Sequence, residues 1–598
     1  MRQLDRRRSG YVASSVAGGG LLLAGVMAAA GVMGGCERPL HRDTPEALHR
    51  SLIESVEREL RSLPESAAGT TAQRTTQPAG EVEKALASRR DELERMAGPG
   101  AYRDETPPYS PDLTGSPQQE VAVSLQQAIA TAVKNNLSVQ IARLQPAIRE
   151  ADVAAAEARF DAVFFSNLDH TRLDEPTTVP VLNGIPLGSS VNVREQTVFE
   201  TGIRKPLTTG GTISLSTTLS RARSKTPNFS LTPDPGYTAR IALGLDQPLL
   251  RGFGSDVNEA QIRLARNDDR RSIQQLKSEL LALIERVESA YWDLAVARRA
   301  LLIRQRVLEE GIEVRDRMER RQVRDVTPSQ FADAVATVER RRAEVIRANR
   351  AVRAASDILK QLMNDPGVTV GSELLVSPVD FMVEAPLEYD ARQAIVTAVT
   401  ERPEVSQALL ALDDAAIGVS VADNLRLPLL NFTARMEYVG LDDALSGSYQ
   451  NAFDNSFIDY VVGLAFEQPI GNRAAEAGYR QSRLRQSAAA IAYRQTVQNI
   501  VQDVKNALRD VVANYELIQA TRSFRLAQTE NLRTLLVEEE FKAGLTPEFL
   551  NLKFQRQDTL ATAELQELEA LANFNKAVAR LYRAMGVGMS MNGITFGQ

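Results

Sequence analysis

From about Asp256 to about Val323 the chain carries no proline and one interior glycine, Gly311. Ile273, Leu280, Val287, Leu294, Leu301 and Leu308 recur every seventh residue, and Leu276, Leu283, Ala290 and Ala297 fill a second register offset by three. A strict seven-residue apolar repeat keeps one stripe facing a neighbour, which is a coiled-coil seam. At ~1.5 Å per residue, roughly 68 residues of helix reach ~100 Å, longer than a compact domain needs. By itself such a helix suits a rod or adaptor as well as anything else.

The flanking pattern occurs twice. Gln127-Ala128-Ile129 with Ala132-Val133 matches Gln393-Ala394-Ile395 with Ala398-Val399, and each opens an alanine-rich helix expected to run for about 37 residues. Strands follow, closed by Gln247-Pro248 in copy one and Gln468-Pro469 in copy two. A long helix comes next in each copy, with Val287, Tyr291 and Leu294 matching Val511, Tyr515 and Ile518. Each long helix ends at a turn, Val326-Thr327-Pro328 or Leu545-Thr546-Pro547. Proline suits the first turn of a helix, so each Thr-Pro pair opens a returning helix, ending near Met363 and Met585. The opening and returning helices of one copy total about 74 residues, or ~110 Å, close to the length of the long helix. Two shorter helices stacked end to end against one long helix suit a tube with walls of constant height.

Leu430, Phe432, Ala434, Met436 and Tyr438 alternate with Asn431, Thr433, Arg435 and Glu437. Ile458, Tyr460, Val462, Leu464 and Phe466 alternate with smaller residues. This dyad fits a transmembrane β-barrel wall, apolar toward lipid and polar toward a wet lumen. A soluble, half-buried sheet has the same alternation. No stretch after the N-terminal segment reads as a membrane-spanning helix. Copy one has about 45 more residues before its Gln-Pro than copy two. They include Val198 to Pro206, the turn Thr209-Gly210-Gly211, and Thr212 to Ser220, an additional hairpin whose place in or beyond the wall the sequence leaves open.

The net charge of -6 argues against nucleic acid as the main partner. The three histidines, His41, His49 and His170, sit at neither metal-ligand nor triad spacing. With no Walker loop, no dinucleotide fingerprint and no convergent catalytic grouping, the chain does not read as an enzyme, and no cofactor or metal is expected.

Arg2, Arg6, Arg7 and Arg8 precede an apolar run from Val16 to Val32 and then Met33-Gly34-Gly35-Cys36, the pattern of an export signal over residues 1–35. The small residues before Cys36 resemble a lipoprotein processing box, so Cys36 is expected to carry a covalent lipid. An ordinary signal peptide with Cys36 as a bystander is the alternative. Residues 36–119 read as a lipid-anchored tether with short amphipathic helices, at Leu48 to Leu60 and around Val82, Leu86 and Leu93, ending in a proline-rich run.

The whole set resembles the TolC family of outer-membrane efflux channels. The resemblance rests on the duplicated order of helix, strands, Gln-Pro, long helix, Thr-Pro turn and returning helix, and on Phe541-Lys542-Ala543-Gly544-Leu545-Thr546, which is similar to the family's helix-tip motif. It covers roughly residues 120–590. It implies an α+β membrane protein: a homotrimer whose long coiled-coil helices form a periplasmic α-barrel and whose strands form a shared transmembrane β-barrel. The domains then run 120–365 for the first channel repeat (strands about 160–247, helix hairpin about 255–364), 366–388 for a linker, 389–586 for the second repeat (strands about 429–468, helix hairpin about 472–585), and 587–598 for a tail. Leu430, Phe432, Ala434, Met436 and Tyr438 would face outer-membrane lipid.

The function implied is a passive exit duct from periplasm to exterior, lipid-anchored in the outer membrane. Its helix tips, Asp325, Val326, Thr327, Pro328, Gly544, Leu545, Thr546 and Pro547, would dock a periplasmic adaptor, itself joined to an inner-membrane pump of the resistance-nodulation-division or ABC class. Acidic side chains near the tips can narrow the entrance in this family. Here the position where relatives often carry aspartate falls on Leu550, with Lys553 following, which leaves Asp325, Asp333 and Glu548 as candidate aperture acids. A coiled-coil periplasmic adaptor or scaffold lipoprotein is the alternative function.

Overall fold

The computed structural model of the chain describes residues 80–101, 105–176, 178–179, 181–186, 191–226, 232–321, 326–386, 388–454, 457–541 and 546–595, with Arg58, Gln73 and Arg74. The chain divides into a unit at Met1–Ile53, outside the described residues, and one at Glu54–Gln598, to which everything below refers. The export signal, Cys36 and the expected Leu48 to Leu60 helix, Arg58 apart, lie outside the described residues.

Two short helices come first, α1 (Glu81–Ala85) and α2 (Arg90–Ala97), then strand β1 (Glu120–Val123). Copy one continues with α3 (Leu125–Asn135) and α4 (Leu137–Glu157), four strands β2 (Val163–Pro176), β3 (Val191–Pro206), β4 (Thr212–Ser224) and β5 (Gly236–Pro248), the long helix α5 (Ala260–Arg321) and the returning helix α6 (Pro328–Met363). Strand β6 (Leu375–Pro378) leads into copy two. It comprises α7 (Ala391–Glu401), α8 (Pro403–Asn424), strand β7 (Leu429–Asp442), a short helix α9 (Leu445–Phe453), strand β8 (Ile458–Glu467), the long helix α10 (Arg473–Phe541) and the returning helix α11 (Pro547–Ala584).

The capping chemistry explains most boundaries. Ser124 caps α3 and Thr327 caps α6, each with a glutamine three residues on that completes a capping box. Thr546 accepts the backbone N–H of Phe549 at the start of α11, and Pro328 and Pro547 sit in the first turns where no N–H is missed. Asn364, in the left-handed region at φ 47°, ends α6.

Each opening helix, expected as one continuous rod, is broken in two. The backbone turns extended at Asn136 and at Arg402, and each break starts a new helix: Asn136 caps α4 with its side chain, and Pro403 opens α8. The first pieces, α3 and α7, lie against α5 and α10 respectively. The second pieces, α4 and α8, run along the upper parts of the long helices, and α6 and α11 run along the lower parts. The joint between them is made of backbone carbonyls and amides. Asn136 Nδ2 donates to Leu362 O and Asn364 Nδ2 to Asn135 O, both at 2.9 Å. In copy two Gly586, at φ 76°, comes so close to Glu401 and Arg402 that a Cβ would lie 3.0 Å from the Glu401 carbonyl carbon.

The heptad stripe forms the core of copy one. Leu280, Leu283, Val287, Leu294 and Leu301 are buried in one cluster with Val338, Val345, Val352 and Leu359 of α6, at the a/d spacing the sequence predicts. Tyr291 ties this cluster to a small parallel pair, β1 with β6. Its hydroxyl accepts the N–H groups of Val379 and Asp380, at 3.1 Å each, and lies 2.8 Å from Asp380 Oδ2. One helix, α8, has the length and mean hydropathy (1.4) of a membrane span, against the expectation that none does. It runs along α10 and α5, with 11% of that apolar stretch buried.

All the long strands lie in one antiparallel sheet of six, in the order β8-β7-β5-β4-β3-β2. The extra hairpin, β3 and β4, is therefore part of this sheet, inserted between β2 and β5.

Candidate channel wall and helix tips

The register of the sheet sorts side chains into two faces. On one face Val462, Ala434, Leu245 and Ile213 form a row across four strands; the next row is Tyr460, Met436, Leu243, Leu215, Ile203 and Phe164. Further along, Ala239, Leu219, Phe199 and Leu168 form another. Phe164 and Leu168 are 70% exposed and Tyr460 is 80% exposed. The five residues expected to face lipid, Leu430, Phe432, Ala434, Met436 and Tyr438, all lie on this face of β7. An apolar band passes from strand to strand through the inserted hairpin without interruption of register.

The other face is polar. Thr433, Arg435 and Glu437 of β7 share it with Arg240 and Asp246 of β5 and with Thr212, Ser214, Ser216, Thr218 and Ser220 of β4. Arg240 Nη1 donates to Glu437 Oε1 at 3.2 Å and Thr433 Oγ1 to Asp246 Oδ1 at 3.1 Å. Alternation of this kind allows one sheet to separate an apolar from an aqueous phase. Short helix α9 lies on the apolar face at one end of the band, where Ala239 and Gly440 leave room for it, and Tyr449 Oη sits 3.1 Å from Thr217 Oγ1.

At the far ends of the long helices the two Thr-Pro turns come together. Gln330 Nε2 donates to Glu548 Oε1 at 3.5 Å, linking the starts of α6 and α11. Val326 is buried with Val314, Met318, Ala334, Leu550 and Phe554. Thr327, Pro328, Thr546 and the candidate aperture acids Asp333 and Glu548 are exposed, whereas Pro547 is buried. Asp325, Gly544 and Leu545 lie outside the described residues. Leu550 is fully buried in the tip cluster, which accounts for an apolar residue at that position. Lys553 is also buried and donates to Glu539 Oε2 at 2.6 Å; burial holds its pKa below the usual lysine value.

Sequence reasoning missed the buried ion pairs that lock the hairpins to each other. Arg341, 1% exposed, donates to the carbonyls of Val307 and Phe554 at 2.7 and 3.1 Å and pairs with Asp558 at 2.8 Å. The signal available was Gly311, the one glycine inside the heptad helix, which faces this guanidinium. Arg525, equally buried, bonds Glu94 of α2 at 2.9 Å and also pairs with Glu567 of α11. Glu564, beside Arg306 at 2.8 Å, is pushed up to about 7 by its burial. Among the described residues no group of three or more acidic, histidine or cysteine side chains could hold a metal.

The fold is that of several solved outer-membrane channels. The CmeC channel of Campylobacter jejuni is 14% identical, with 78% of this chain and 86% of that chain covered at a TM-score of 0.57. The MtrE channel of Neisseria gonorrhoeae, in its open state, is 19% identical over 81% and 96%, with a TM-score of 0.56. The outer membrane protein VceC of Vibrio cholerae is 14% identical over 77% and 96%, with a TM-score of 0.53. No curated protein matches the sequence. Residues 394–587, nearly the whole of copy two, match the model of the outer membrane efflux protein family. Copy two thus carries an outer membrane efflux protein domain, copy one repeats its architecture, and the chain as a whole has the fold of these outer-membrane channels.

Proposed function

We propose that three copies of this chain form the exit duct of a tripartite export system, with the strands as the membrane wall and the paired long helices as staves of a periplasmic tunnel. The observation that carries this is the single six-stranded sheet, apolar on one face and polar on the other, assembled from both copies of the repeat. Its apolar face meets outer-membrane lipid and its polar face lines the lumen. A scaffold or adaptor lipoprotein has no use for so large an exposed apolar face. Cys36 carries the lipid that adds a second attachment to the membrane.

The turns at Val326-Thr327-Pro328 and Thr546-Pro547, with Asp325, Gly544 and Leu545, receive the periplasmic adaptor, which joins the duct to an inner-membrane pump. The duct itself does no chemistry; the pump supplies the energy and selects the cargo. Asp333 and Glu548, exposed beside these turns, are the acids placed to line the entrance.

Membrane fractionation with chemical crosslinking tests the proposal. A trimer in the outer-membrane fraction, resistant to salt washing, is expected; a soluble monomer would overturn it. Introducing charge and bulk at the tip, Leu545→Glu with Gly544→Arg, is expected to abolish export while trimer and insertion persist. Export that survives would remove the docking role from the tip.

A further inference from the structure

Copy two contributes two strands to the sheet and copy one contributes four, the difference being the β3–β4 hairpin. We infer that three of these six-stranded sheets close into one barrel of eighteen strands, β2 of each copy pairing with β8 of the next, to give a wide, hydroxyl-lined outer pore. This rests on the trimeric duct proposed above and adds to it the strand count, the seam and the bore.

The edges support the seam. Every neighbouring pair in the sheet is antiparallel, and with an even number of strands β2 and β8 run in opposite directions. An edge-to-edge contact between copies in a ring is therefore antiparallel as well, and no strand order has to reverse. Both edge strands are exposed along almost their whole length, in contrast to β5 between them. An open row of N–H and C=O groups is not tolerated at membrane depth, so these edges need partners. Their apolar faces match: Phe164 and Leu168 on one edge, Tyr460, Val462 and Leu464 on the other.

The hairpin carries the marks of a wall element. Ile213, Leu215 and Leu219 of β4 and Ile203 and Phe199 of β3 continue the apolar band in register, and Ser214, Ser216 and Thr218 continue the polar face. The band also drifts along the strands. Its centre lies on the Val462–Ala434 row at one edge, a row that reaches Lys205 on β3, and on the Thr201–Ser166 row at the other. Lys205 and Thr201 are four residues apart on β3. A horizontal band crossing strands tilted by about 40° drifts by about one residue per strand, in the direction-consistent manner of a barrel wall. With strands about 4.8 Å apart at that tilt, eighteen give a backbone radius of about 18 Å, against about 12 Å for the roughly twelve that three chains without the β3–β4 hairpin would supply. Helix α9 sits on the apolar face and leaves the polar side of the sheet uncovered.

Single-particle imaging of the detergent-extracted trimer counts the strands directly. Eighteen, with residues 191–224 in the wall, is the expected result. A trimeric barrel of twelve with the hairpin outside it would overturn the inference while leaving the duct intact; the absence of any barrel would overturn both. Paired substitutions on adjacent residues of β4 give a second reading. Leu215→Arg is expected to reduce outer-membrane trimer by about tenfold or more, because it places a charge in lipid. Ser216→Arg is expected to assemble normally and to lower single-channel conductance in planar bilayers. Normal assembly of L215R, or conductance unmoved by S216R, would place the hairpin outside the wall.

Discussion

Gly311 of α5 faces the guanidinium of Arg341 so closely that a Cβ there would lie 2.6 Å from Nη1. Glycine in the middle of a helix costs about 1 kcal/mol relative to alanine, so its presence in a heptad rod needs a reason. The reason is the arginine of α6, which reaches across α5 and on to α11. Gly311→Leu is expected to displace Arg341 and to destabilise by about 3 to 5 kcal/mol, the scale of breaking a buried ion pair. Gly311→Ala is expected to cost less, because improved helix propensity offsets part of the clash. Thermal unfolding of the detergent-extracted protein, with Arg341→Met as the comparison, checks both.

A second arginine ties down the N-terminal segment. Arg525 of α10 bonds both carboxylate oxygens of Glu94 at 2.9 Å and also pairs with Glu567. Around it Leu93 and Ala97 of α2 are buried against the helical hairpins. Residues 80–101 and 105–111, expected as part of the lipid-anchored tether, are thus held to the body, and Arg353 bonds the carbonyls of Ser110 and Pro111 at 2.8 and 2.7 Å. Glu94→Gln is expected to loosen the segment by about 1 to 3 kcal/mol, seen as faster proteolysis between residues 80 and 111. Arg525→Met leaves the buried Glu567 with Arg522 alone and the Glu94 carboxylate without its arginine, and is expected to lower the unfolding temperature of the whole hairpin assembly.

The elements that sequence revealed are those with a period. The heptads of α5, the dyad of β7 and the two Thr-Pro turns are local patterns, and the duplication made each a check on its twin. The breaks at Asn136 and Arg402 were hidden because apolar periodicity runs on across them; what ends those helices is a joint with residues far along the chain, Leu362 in one copy and Gly586 in the other. The hairpin β3–β4 was visible as a hairpin, but its sheet membership depends on registers with β2 and β5 that no local pattern encodes. The buried arginines were invisible for the same reason: on a helical wheel Arg341 and Arg525 look like solvated charges until a second hairpin covers them.

Glu564 makes stability depend on pH. Its carboxyl, raised from the ordinary value of 4.5 to about 7 by burial, binds a proton more tightly in the folded than in the unfolded chain. Between about pH 4.5 and pH 7 the folded state therefore holds more protons, and stability falls as pH rises through that window. The full effect is on the order of 3 kcal/mol, gained on acidification. Glu564→Gln is expected to match the wild type near pH 5 and to lose this dependence, so that the variant is the more stable near pH 8. Melting curves across pH 5 to 8 measure the difference, and parallel wild-type and variant curves would sink the assignment.

Gly440 shows how α9 is seated. A Cβ on this residue would run into the carbonyl oxygen of Ser448 and the backbone of Ala452, so the helix lies directly on the β7 backbone. The contact buries Ala239 and brings Tyr449 to Thr217 on the inserted hairpin. Gly440→Val is expected to lift α9 from the sheet at a cost of about 1 to 3 kcal/mol, as for overpacking in a core. Tyr449→Phe removes only the hydrogen bond and is expected to cost about 1 kcal/mol. Hydrogen exchange at residues 445–453 separates the two: a large rise in G440V with strand exchange unchanged, and a small one in Y449F. Equal exchange in the wild type and G440V would show that α9 does not rest on Gly440.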